Sequence, residues 1–194
     1  MSRKDWRTMT KEEAARLLSI LLHDLTKEWR KEKIHSDVLE VIMQLRIQAA
    51  DNERYSANLL DQIAFAGESA HALKQIWGYM LRERTFLSPT TMEAMLTDAQ
   101  RVIHRRLPEL VPRYGRAFAE IADETERKRQ LERSYSALLL FNRIATDFLF
   151  QFVRKENERE ASAFFAADPN ELLEVFHHLC SVYASRLLEG LEVD

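Results

Sequence analysis

The chain has 194 residues, 46% hydrophobic and 30% charged, with four glycines, four prolines and a single cysteine. That length fills one substantial core without requiring a second domain, and so few turn-forming residues exclude most β architectures in favour of long helices. A net charge of −3 from interleaved acids and bases gives no uniform field for capturing nucleic acid or anionic lipid, and one cysteine closes no intrachain disulfide.

The opening "MSRKDWRTMTKEE" lacks an apolar segment of signal-peptide type, and no apolar run approaches the roughly 18 residues of a membrane span. A soluble, cytoplasmic protein is expected. Thr10 followed by Glu13 is a capping-box pattern, and it announces a first helix running to about Lys31. Leu17, Leu18, Leu21, Leu22, Leu25 and Trp29 form its apolar stripe. A second helix is expected from near Ser36, with Val38, Val41, Ile42 and Leu45 inward. After "ADNERYS" a third carries Leu59, Leu60, Ile63, Gly67, Ala70, Leu73, Trp77 and Met80, with Gly67 and Gly78 marking close helix crossings or a kink.

Ser88 as N-cap and Pro89 at the first helical position open the next helix. Its inward face is Met92, Met95, Leu96, Ala99, Val102, Ile103 and Leu107, and "LPELVPRYG" is expected to interrupt it at two prolines. The pattern resumes through Tyr114, Phe118 and Ile121, crosses the charged "DETERKRQLER" and enters "SYSALLLFNRIATDFLFQFV". A last helix begins at "DPNE", with Asp168 as N-cap, and ends at Gly190. The sum is one all-α domain over residues 1–194, a bundle of about six or seven helices.

One helix is too apolar for a single covered face. Leu138, Leu139, Leu140 and Phe141 are consecutive, as are Phe148, Leu149 and Phe150, and consecutive residues point to all sides of a helix. Either it is the central helix of the domain, or a second copy of the chain covers part of it. The second reading makes a homodimer in which this helix and the one after Pro89 pair with their symmetry mates, with Met95, Leu138, Phe141 and Phe148 at the interface.

The segment "RERTFLSP" with its following long helix resembles globin-coupled sensor domains, the haem-binding input modules of bacterial signalling proteins. Their proximal histidine stands in a segment H-x-R-I-G-L-S-P. Arg84, Leu87, Ser88 and Pro89 match, whereas Arg82 takes the histidine position, Thr85 the isoleucine and Phe86 the glycine. "LLLFNRIATDFLFQFVRKENERE", with Asp147, is similar to the last helix of that fold. The resemblance spans about residues 10–157, leaves 168–190 as an additional C-terminal helix, and implies a globin-like bundle. An arginine cannot supply the imidazole bond to haem iron, so the resemblance implies a module without haem. Trp77, Arg82 and Phe86 then border a vestigial pocket. His71, eleven residues before Arg82, is the alternative haem ligand if the register differs. No output domain is expected after it, and such a module is then expected to pass its signal through a partner or its own dimer.

Other constellations point elsewhere. Glu68 with His71, and Glu174 with His177, are both Glu-x-x-His, the spacing of di-iron bundles. At about 100° per residue, however, Glu68 and Glu174 fall opposite the apolar stripes of their helices. His177 and His178 diverge too far to clamp one metal. Cys180 lies in an apolar stripe and reads as packing. "RVIHRRLPELVPRYGR" gathers Arg101, Arg105, Arg106, Arg113 and Arg116 around Tyr114; a solvated face is the commoner role for such a run than an anion or nucleic-acid surface. The expectation is a non-catalytic regulatory or protein-interaction module, a homodimer with a protein signalling partner and no cofactor. The alternatives are a di-iron carboxylate enzyme and a haem-binding gas sensor that uses another histidine.

Overall fold

The computed structural model describes residues 10–32, 52–83, 87–154 and 168–189. They form five helices: α1 (Lys11–Glu32), α2 (Asn52–Glu83), α3 (Pro89–Ala119), α4 (Glu124–Arg154) and α5 (Pro169–Glu189). The described residues are all-α, as composition predicts. The helix expected from Ser36, the side chains of Leu17, Leu25 and Trp29, and Phe86 and Gly190 lie outside the described residues.

The helix starts follow from local chemistry. The Glu13 N–H donates to Thr10 Oγ1 (3.3 Å) and the Thr10 N–H to Glu13 Oε2 (3.0 Å), a reciprocal capping box. Ser88, extended at φ −64° and ψ 152°, accepts the Thr91 N–H at 3.1 Å, and Pro89 follows at the first turn, where it leaves no donor unpaired. Asp168 accepts the Asn170 N–H at 2.8 Å. Asp123 does the same for α4, accepting the Glu126 N–H at 2.7 Å, so "DETERKRQLER" is helical.

The two prolines expected to interrupt the helix after Pro89 do not: α3 is continuous, with Pro108 and Pro112 inside it. Each removes one backbone donor, so the carbonyls of His104 and Pro108 lose an intrahelical partner. Four residues apart, the prolines share one face, and both are exposed, so water can satisfy the released carbonyls.

α2 packs against α3, α4 and α5, whereas α4 touches all four other helices. The main core joins Leu18 and Leu22 of α1, Leu73 to Leu81 of α2, Met92 of α3, Leu140 to Leu149 of α4, and the row Leu172, Phe176, Cys180, Ala184 and Leu188 of α5. Smaller clusters around Leu59, Ile63 and Leu131, and around Ala64, Ile103 and Leu110, close the other end. The consecutive apolar residues of α4 are thereby accounted for within one chain. Leu138 packs on the Leu59 cluster, Leu139 lines a cavity, and Leu140 and Phe141 enter the main core.

Candidate functional site

The long α2 and α3 cross where small side chains let their backbones approach. A Cβ on Gly67 would lie 2.5 Å from Tyr114 Oη and 2.6 Å from its ring, so the absence of a side chain there admits the Tyr114 ring across α2. Gly78 plays the same part toward α5, where a Cβ would meet Leu173 at 3.3 Å. Beside the Gly67 crossing lies a groove of about 960 Å³ whose lining includes Gly67, Ala70, Ala99 and Ala117.

Three helices project polar groups into it. α2 supplies Glu68, His71, Lys74 and Gln75, which at three- and four-residue steps share a face; α3 supplies Arg106, Arg113 and Tyr114; α5 supplies His177. Tyr114 Oη donates to Glu68 at 3.2 Å. Burial, then the charge and hydrogen bond of Glu68, push the Tyr114 hydroxyl up to about 12. Lys74 Nζ bonds Glu174 Oε1 at 2.6 Å, joining α2 to α5 and holding the Glu174 carboxyl below its usual range. His177 is driven below the ordinary imidazole value by burial first and by the Lys74 ammonium second, and its ring lies 5.0 Å from that of Phe141. His71 Nε2 is 3.1 Å from Gln75 Nε2. Val102 stands 51% exposed on the α3 wall.

No protein-family model, curated protein or solved structure matches this chain.

Glu68, His71 and His177 line this groove and Glu174 is tied to its Lys74, a convergence of the two Glu-x-x-His pairs that single-helix geometry does not anticipate. Glu68 is half-buried under Tyr114 rather than on an open face, because α3, α4 and α5 together cover more of α2 than its apolar stripe alone. Their carboxylates are engaged with Tyr114 and Lys74, and among the described residues no three His, Cys, Asp or Glu side chains gather around a common metal position.

The other candidates fall elsewhere. Trp77 is fully buried (0% exposed), its ring 5.6 Å from Phe148 and 5.1 Å from Phe176. Arg82 is exposed in the last turn of α2. Phe141 and Phe148 are buried in the main core of their own chain, Met95 is half-buried against that core, and Leu138 is half-buried at the groove. Cys180 is wholly buried and its thiol pushed far up by burial, which suits packing. Sequence reasoning did not single out Lys74 or Gln75. Their spacing from Glu68 and His71 was a signal, but only the tertiary approach of α3 and α5 gives that face partners.

Proposed function

We propose that this chain is a non-catalytic regulatory or protein-interaction module, of divergent sensor-globin type and working without haem, whose groove between α2 and α3 is its recognition surface. The observation that carries the reading is the convergence of His71, Lys74, Arg106, Arg113 and His177 from three helices on one open groove with an apolar wall. A partner surface with apolar anchors inside a charged rim suits such a lining. Val102 and Leu138 belong to that wall, and Met95, seven residues before Val102 on the same face of α3, packs on the main core. This α3 face is the natural place for a second copy of the chain, and regulation is a population shift between its paired states.

The surroundings of Trp77 do not fit a haem. Phe148 and Phe176 pack against its ring, and the nearby position matching the proximal ligand is Arg82, which has no lone pair for iron. Sedimentation velocity on the purified protein and on Val102→Asp tests the pairing. The expected result is a dimer that the substitution converts to monomer while circular dichroism is unchanged. A wild-type monomer at every concentration, or a dimer indifferent to Val102→Asp, would remove this face as the pairing surface.

A further inference from the structure

One stretch of α3 has a charge at odds with the chain that carries it. The whole sequence has a net charge of −3, yet residues 99–117 hold Arg101, Arg105, Arg106, Arg113 and Arg116 against Glu109 as their sole acidic residue. All five arginines are exposed. Arg101 pairs with Asp98 at 3.3 Å and Arg106 reaches Glu109 at 3.9 Å. Among the described residues Arg105, Arg113 and Arg116 form no ion pair, so three guanidinium groups stand unneutralised within about three turns of helix.

The helical period brings these charges to the groove. Arg106 and Arg113, seven residues apart on the face of Val102, line it, and Arg105 and Arg116, three turns apart, run along the adjoining rim. Lys74 stands on the α2 side. The carboxylates near these groups are already engaged: Glu68 with Tyr114, Glu174 with Lys74 and Glu109 with Arg106. Five cations against three carboxylates leave the face positive. Between them the floor is apolar, with Ala70, Ile103 and Leu138, and Val102 is 51% exposed. From Ala99 to Ala117 the α3 wall is about 27 Å long at 1.5 Å per residue, the length of a helix of about 18 residues.

We infer that the partner this groove takes is an acidic amphipathic helix of another protein, laid along α3. Its carboxylates meet Arg105, Arg106, Arg113 and Arg116, and its apolar stripe covers Val102 and Leu138. The inference rests on the reading of the groove as the recognition surface and adds the chemistry of what is recognised. A second copy does not suit the arginine-rich half, because an isologous contact would set the same arginines against one another; the pairing at Val102 and Met95 lies nearer the start of α3. An extended segment finds no strand edge among the described residues to pair with. Nucleic acid suits the groove less, since phosphates gain nothing from an apolar floor. The Tyr114 ring, packed across Gly67 and bonded to Glu68, is not presented for base stacking.

Selection of random peptides of about 18 residues by display on the full chain tests the inference. The enriched peptides should carry a net negative charge, with apolar residues at three- and four-residue spacing. By fluorescence anisotropy such a peptide should bind with a Kd on the order of 10 μM, weakening about tenfold between about 50 and 300 mM salt. Combined Arg105→Glu and Arg113→Glu, and separately Ala117→Trp, should each weaken it by about tenfold or more with circular dichroism unchanged. Binding that survives the arginine reversals overturns the inference. So does displacement of the peptide by an equal or lower concentration of a single-stranded thymidine oligonucleotide, which would make the face one for nucleic acid. Enriched peptides without acidic bias that lose binding in Ala117→Trp would overturn the acidic preference and leave the groove as a recognition surface. No enrichment at all would overturn both.

Discussion

Gly67→Ala is the substitution whose outcome depends most sharply on the α2–α3 crossing. In an isolated helix it would stabilise by about 1 kcal/mol. Here the added methyl would sit 2.5, 2.6 and 2.8 Å from Tyr114 Oη, Cε1 and Cζ, so the ring has to leave its place. Leaving breaks the 3.2 Å bond to Glu68, worth about 1 kcal/mol at a half-exposed site. It also uncovers the ring face packed against the Leu59 and Ala64 clusters, a further loss of about 1 kcal/mol. The net expectation is a destabilisation of about 1 kcal/mol, or a fall in Tm of roughly 2–4 °C for a domain of this size. Urea denaturation of Gly67→Ala, Tyr114→Ala and the double variant measures it. In the Tyr114→Ala background the same glycine substitution should become stabilising by about 1 kcal/mol, a reversal of sign. Stabilisation by Gly67→Ala in the wild-type chain, or the same cost in both backgrounds, would refute the proposed contact.

Tyr114 also carries a pH signature. Its folded-state value, raised to about 12, lies above the unfolded value of 10.0, so the stability of the neutral phenol is present below about pH 10 and lost as pH rises through about 12. NMR titration of the Tyr114 ring should give that late midpoint, and Glu68→Gln should bring it down; an unmoved midpoint would dissociate the two residues. Phe176→Ala should destabilise by about 3–5 kcal/mol, because the ring fills the main core against Trp77 and Phe148; a cost below about 1 kcal/mol in chemical denaturation would place α5 outside that core. Cys180 should resist a thiol reagent in the native protein and react at once in denaturant; rapid native labelling would contradict its burial.

Helix starts were the most legible part of this fold. Thr10 with Glu13, Ser88 with Pro89, and Asp168 each place an oxygen acceptor next to the free donors of a first turn, a relation confined to a few residues. Asp123 with Glu126 belongs to the same class and was readable by the same rule, although the charge of the segment hid it. The prolines of α3 misled because the cost of a missing donor depends on whether the freed carbonyl reaches water, and exposure is tertiary information. The apolar run from Leu138 to Phe141 had two readings, and the burial of Phe141 and Phe148 within one chain favours a central helix for that segment. The groove was illegible for a different reason. His71, Arg106 and His177 lie on separate helices, and a wheel drawn for one helix assigns Glu68 to solvent because it cannot see the neighbour that covers it.

The central claim, a regulatory module that works without haem or a catalytic metal, is tested most directly by titrating haemin into the purified protein, with metal analysis of the same sample. Absorbance across the Soret and visible bands should show no specific, saturating complex, and no iron or manganese should copurify in stoichiometric amount. A sharp Soret band saturating at about one haem per chain and lost in His71→Ala would make the chain a haem sensor with another proximal ligand. Stoichiometric iron or manganese lost in Glu68→Gln or Glu174→Gln would make it a metal-dependent bundle instead.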